Sequence, residues 1–190
     1  MKSVFAVVDG LNLFHALRAQ CQSDTALDIA ATVRRLLNRR TEALTEVRYF
    51  SAPVTHLSQK ARTSQSLYLE NLSNSGVLIT LGNFKRKQVH CPLCGADHWK
   101  YEEKETDVNL ALAIVSIATD KLANILLIFS ADTDLVPAIK MAQEISPDLE
   151  IRIVSTPQSL RSVHGSLVAL VDGKFELGEG LVAAHQFRNA

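Results

Sequence analysis

Two aspartates, Asp132 and Asp134, stand one residue apart directly after an apolar run in "LLIFSADTDLVP". Like charges held this close repel, and each is better solvated alone, so the pairing calls for something that offsets the repulsion. A divalent cation is the obvious candidate. Asp9 follows another apolar run, "SVFAVV", and Asp107 opens a helical pattern in "EKETDVNLA". If these acids converge they suit Mg²⁺ or Mn²⁺, hard ions that take oxygen ligands and keep waters for chemistry. A second group lies in "HCPLCGADHW": Cys91 and Cys94 have the spacing of a zinc half-site, with His98 and His90 near enough in sequence to join it. A third consists of Lys85, Arg86, Lys87, Lys100 and Lys104, cations suited to phosphates, interleaved with Phe84, Trp99 and Tyr101, rings suited to unpaired bases.

The elements that must position these groups follow from periodicity. Runs at 3–8, 46–51, 76–81, 124–130 and 150–155 read as strands, several apolar on both faces as parallel strands covered by helices are. Helical patterns occupy 12–20, 27–41, 56–74, 106–121 and 133–145. In "RRLLNRR", Leu36 and Leu37 read as the inward side of an amphipathic helix. The alternation predicts an α/β fold, an open and mostly parallel five-stranded sheet between helical layers, whose ligands bind beyond the carboxyl ends of the strands. Strands one and four are neighbours in the common doubly wound orders, which would bring Asp9 to Asp132 and Asp134. The segment 82–105 is too long for a plain connection and reads as an insert or small hairpin carrying the CxxC. The stretch "VHGSLVALVDGKFELGEG" carries no clear assignment.

Each acid alone also fits a local role. Asp132 or Asp134 can cap the following helix, Thr106 or Asp107 the helix at "VNLALA", and Asp9 can form a turn with Gly10. Capping, however, does not require the acids to share one pocket.

The blocks "VDGLNLF" at 8–14, "EEKETDVNLAL" at 102–112 and "FSADTDLVPAI" at 129–139 resemble, in order, the signature blocks of NYN domains, PIN-like nucleases of the LabA-like branch. The resemblance spans nearly the whole chain. It implies a three-layer PIN-like sandwich over 1–190, one domain, with an acidic pocket that holds divalent metal and cuts RNA, leaving a 5′-phosphate and a 3′-hydroxyl. By motif, Asp9, Asp107 and Asp132 would bind the metal, Asp134 would join them in catalysis, and Asn12, Ser130 and Thr133 would support them. Ala131 departs from the glycine frequent at its position.

Composition bounds the alternatives. The 190 residues carry 20 Lys plus Arg and 20 Asp plus Glu, so binding of a polyanion must come from local patches. Hydrophobic residues at 47% exclude a disordered scaffold. No apolar run approaches the roughly 20 residues that span a bilayer, no signal peptide is evident, and three cysteines fit a reducing compartment, so the chain reads as cytoplasmic. Ser162, His164 and Ser166 lack the turn of a serine hydrolase, and no glycine-rich phosphate loop occurs. The expected activity is metal-dependent endonucleolytic hydrolysis of single-stranded RNA. The alternatives are an RNA-associated binding module without turnover and a phosphohydrolase of small phosphoesters. Zn²⁺ at Cys91, Cys94 and His98 and a homodimer through the C-terminal segment stay open.

Overall fold

The computed structural model describes residues 1–22, 24–162 and 165–187; His164 lies outside them. Along the chain run strands β1 (Lys2–Asp9), β2 (Glu42–Ser51), β3 (Leu78–Leu81), β4 (Asn83–His90), β5 (Asp97–Lys104), β6 (Ile125–Phe129), β7 (Glu150–Ser155) and β8 (Gly173–Glu176). The main helices are α1 (Gly10–Cys21), α2 (Ile29–Leu36), α3 (Gln59–Asn74), α4 (Thr106–Thr119) and α5 (Val136–Ile145). Shorter ones, α6 (Pro157–Ser162), α7 (Gly165–Val168) and α8 (Glu179–Ala184), follow.

Six strands form one parallel sheet in the order β3-β2-β1-β6-β7-β8, and β4 and β5 pair separately as an antiparallel hairpin. The central strands are apolar on both faces because both are covered. On β1, Val4, Ala6 and Val8 join Leu13, Leu17, Ile29 and Leu72 of α1, α2 and α3 on one side. Phe5 and Val7 join Leu110, Ile114, Ile117 and Ile139 of α4 and α5 on the other. Truncating one of the buried leucines or isoleucines among them to Ala should cost about 2–5 kcal/mol. No helix among the described residues is long and apolar enough to cross a membrane.

The sheet has six strands where the sequence predicts five. The extra one, β8, lies in the unassigned C-terminal stretch and pairs with β7 from Arg152↔Gly173 to Ser155↔Glu176. At four residues on the sheet edge, with alternate residues exposed, it carries no apolar run to announce it. The helix expected over 27–41 ends at Leu36. Leu37 turns extended and buries its side chain, while the Glu42 carboxylate accepts the Asn38 backbone N–H at 2.8 Å, favouring a turn over another helical step. The helix expected from 56 begins after Ser58, whose hydroxyl accepts the Ala61 N–H.

The chain order reverses at β1: β2 and β3 extend the sheet to one side, β6, β7 and β8 to the other. Ligands in such sheets bind at that reversal, beyond the carboxyl ends of the strands. Here those ends are Asp9 on β1 and Ser130, which follows β6.

Candidate active site

Asp9 is the last residue of β1 and the cap of α1. One carboxylate oxygen accepts the Asn12 backbone N–H at 2.9 Å, and the other accepts the Ser130 hydroxyl at 3.3 Å. The strand turns into the helix at Gly10, where a Cβ would run into the Tyr49 ring and the Phe50 carbonyl. This close approach leaves Asp9 only 4% exposed. Burial pushes its pKa from 3.8 to about 6; the Asn12 N–H and Ser130 oppose the rise, while Asp107 and Glu103 add to it.

Ser130 links the two strand ends, because its oxygen also accepts the Asp132 backbone N–H at 3.1 Å. Asp132 in turn accepts the Asp134 N–H at 2.9 Å, capping the 3-10 turn Thr133–Leu135 that leads into α5. Asp9 and Asp132 are therefore caps as well as site candidates.

Asp107 is not a cap. The position before α4 is Glu105, which makes no side-chain capping bond, and Asp107 lies in the first helical turn. Glu105 has φ +77, a conformation costly for a residue with a Cβ, and this reversal takes the chain directly from β5 into α4. Burial raises the Asp107 pKa, and the charges of Asp132 and Asp134 raise it further. Glu103, two residues before the reversal, is half-buried and accepts the Thr106 hydroxyl at 2.6 Å. Burial raises its pKa most; Thr106 and His15 counter this, and Asp107 adds to it.

Five carboxylates thus surround the strand ends with Asp107 at their centre. Among the described residues, none makes an ion pair with Lys, Arg or His. Nor, among the described residues, do three His, Cys, Asp or Glu side chains close into a group that could hold a metal ion. The donors have the chemistry a hard cation wants, oxygen-only and without an ion-paired basic partner, but no three of them converge on one point among the described residues.

An open cleft of about 690 Å³ lies beside the acids, lined by Asn12, His15, Asp132, Thr133, Thr156 and Gln158 among others. Thr133 faces this cleft, and Asn12 supports Asp9 through its backbone rather than its side chain.

The hairpin register divides the expected substrate-binding residues. Pairs Phe84↔Glu103, Arg86↔Tyr101 and Gln88↔Trp99 share one face, while Lys85↔Glu102 and Lys87↔Lys100 share the other with Lys104. Arg86 and Trp99 therefore lie on the face of Glu103, with the guanidinium 3.8 Å from the indole centroid. The lysines point away from that face, and Lys87 and Lys104 pair with Glu102. Phe84 and Tyr101 pack on His56, Tyr101 nearly parallel to it at 4.4 Å. Trp99 stays open, 53% exposed. Cys91, Cys94 and His98 do not form a three-ligand zinc set: His98 pairs with Val89 down the ladder, and His90 binds Asp97 at 3.0 Å.

Sequence reasoning missed Glu103, Tyr49 and His15. Tyr49 is buried, and burial most of all, then Asp9 and Glu103, pushes its pKa up. The available signal for His15 was its position three residues after Asn12, on the same face of a helix.

The NYN domain family profile matches residues 4–170. No curated protein matches the chain in sequence. Among solved structures, a protein of unknown function, VPA0982 from Vibrio parahaemolyticus RIMD 2210633, is similar in fold with a TM-score of 0.65. The two are 15% identical over 98% of this chain and 96% of that one. With most of its length matched and the parallel sheet in place, this chain belongs to the NYN domain family.

Proposed function

We propose that this NYN protein is a divalent-metal-dependent ribonuclease of the LabA-like branch, cutting single-stranded RNA endonucleolytically in the cytoplasm. The observation that carries the reading is the cluster of Asp9, Glu103, Asp107, Asp132 and Asp134 at the sheet's reversal point, none of them ion-paired with Lys, Arg or His among the described residues. Asp9, Asp107 and Asp132 would hold the metal, with Asp134 and Glu103 beside them. Bound Mg²⁺ or Mn²⁺ would supply Lewis acidity at phosphorus and an acidified water.

The chain's own residues do the rest. Asn12 and Ser130 fix both oxygens of Asp9, so its orientation is set before substrate arrives. Burial raises the Asp9 pKa to about 6 in the metal-free chain, so a bound cation would displace its proton. His15, on the cleft and within electrostatic reach of Glu103, is placed to protonate the departing 3′ oxygen. Water oxygen bonds to phosphorus and gives up a proton to solvent, the bond from phosphorus to the 3′ oxygen breaks, and that oxygen takes the proton from His15. Trp99 offers a stacking platform for an unpaired base, and the lysines of the opposite hairpin face meet phosphates.

One observation favours the second reading, a binding module without turnover: the acids do not close into a ligand group. Labelled single-stranded RNA, DNA and a small phosphoester, assayed in parallel with Mn²⁺ and with chelator, separate the readings. We expect Mn²⁺-dependent cleavage of RNA, lost in Asp9→Asn. RNA bound but uncut, with wild type and Asp9→Asn alike, would sink the enzyme.

A further inference from the structure

At the far end of the hairpin the acid site is absent and a different chemistry appears. The strands β4 and β5 are eight residues each, so the tip stands roughly 27 Å along the ladder from their base. Residues 92–100 are all exposed, and Leu93, between the two cysteines, is 96% exposed.

The turn itself is built around sulfur. Gly95 has φ +70, the left-handed conformation glycine adopts at little cost, and its N–H returns to the Cys91 carbonyl at 2.9 Å. Cys91 N–H closes the turn on the Ala96 carbonyl at 2.9 Å. The backbone N–H groups of Leu93 and Cys94 and the thiol of Cys94 all turn toward the Cys91 sulfur. Amides aimed at one sulfur, with a second sulfur alongside, hold the two side chains as a pair at the C-x-x-C spacing of a tetrahedral metal site.

Two thiolates are half of a structural zinc site, which is tetrahedral and takes four ligands. The chain does not supply the other half at this tip. Cys21 packs against the core at the end of α1, His90 is engaged with Asp97, and no third ligand joins the pair among the described residues.

We propose that the hairpin tip is a zinc half-site completed by the tip of a second copy of this chain, one ion being held by Cys91 and Cys94 of each. The site is incomplete without the second copy, and the arrangement is isologous: the same patch meets itself across a two-fold axis. Leu93, which has no partner to cover it in one chain, lies where the two tips meet. The hard acids at the strand ends and the soft thiolates at the tip would select different metals. This proposal stands independently of the nuclease reading.

The test uses the full chain purified in reducing buffer. Expected are one zinc per two chains by elemental analysis and a dimer by light scattering that a zinc chelator converts to monomer and added zinc restores. Co²⁺ added to the metal-free chain should give the intense sulfur-to-metal absorption of a four-thiolate site at half an equivalent. Cys94→Ser should remain folded by circular dichroism, lose zinc and be monomeric, while His98→Ala should retain both. Should Cys94→Ser fail to fold, the chelator and Co²⁺ measurements on the wild type still decide. The proposal is overturned by a zinc-free chain with free thiols, by an intrachain Cys91–Cys94 disulfide under reducing conditions, by one zinc per monomer, or by a dimer indifferent to the chelator.

Discussion

The two ends of the sheet treat buried carboxylates in opposite ways. At the amino end, Glu42, 8% exposed, receives the Arg152 guanidinium at 2.8 Å, and Arg152 also binds Glu150, which Lys2 reaches at 3.0 Å. Burial alone would raise the pKa of Glu42, but Arg152 and the Asn38 N–H outweigh it and hold the carboxyl below its usual range. Glu150 is lowered the same way by Lys2 and Arg152. At the carboxyl end, Asp9, Glu103 and Asp107 are all raised by burial and by neighbouring carboxylates, Asp107 by Asp132 and Asp134. One end is electrostatically complete, and the other holds like charges that make no ion pair with Lys, Arg or His among the described residues. A fold that needs only stability would neutralise both ends, and the uncompensated end is therefore the candidate for binding a cation.

The largest effect that would break this comparison is kinetic. We predict that Asp9→Asn lowers Mn²⁺-dependent RNA cleavage about a thousandfold or more, beyond the ten- to hundredfold typical of losing an outer-shell partner of a metal site. Steady-state cleavage assays check it, and unchanged turnover would mean that Asp9 is only a cap.

Next comes the amino end. Arg152→Ala leaves Glu42 buried without its cation and should destabilise the fold by about 2–4 kcal/mol at pH 7, with RNA cleavage well below the melting temperature little changed. Because Glu42 and Glu150 are lowered in the fold, their contribution is present above the unfolded carboxylate range and lost as pH falls through their folded values. Denaturant unfolding as a function of pH should show the wild-type advantage over Arg152→Ala fading in acid.

The carboxyl end should respond with the opposite sign. Asp9 is raised from 3.8 to about 6, so its contribution is fully present below 3.8 and is lost as pH rises through about 6. In chelator, Asp9→Asn should therefore stabilise the fold by on the order of 3 kcal/mol above pH 7, about two units at 1.4 kcal/mol each, and the gain should vanish in acid. Melting curves at several pH values measure it. A pH-independent gain would assign the effect to packing instead of charge.

The smallest effect sharpens the site's boundary. Glu103→Gln removes an acid beside the central three and should lower cleavage about ten- to hundredfold while leaving the fold intact. No loss would exclude Glu103 from the site.

The parts of this arrangement that were legible in the sequence are those written in short-range pattern. Apolar runs mark β1, β6 and β7 because each is buried on both faces, and the acids that end or follow them are plain in "VVDG" and "SADTD". What stayed hidden depends on register. "YEEKE" contains three glutamates, and only the pairing of Phe84 with Glu103 selects one of them for the pocket while turning Glu102 toward Lys87 and Lys104. The same register divides the cations of the insert between two faces, which a count of charges does not reveal. Strand β8 was silent for another reason: at the edge beside Arg152, where a Cβ on Gly173 would press against that side chain at 3.3 Å, it needs fit more than hydrophobicity.

The central claim is that the carboxyl end of the sheet is short of one cation. Its most direct test is a Mn²⁺ titration of the chelator-washed protein, followed by the electron paramagnetic resonance of free Mn²⁺, on wild type and Asp9→Asn. Saturable uptake by the wild type, weakened at least about tenfold in Asp9→Asn and accompanied by more proton release at pH 6 than at pH 8, is the predicted result. Absence of saturable uptake, or equal uptake by both proteins, would contradict the account.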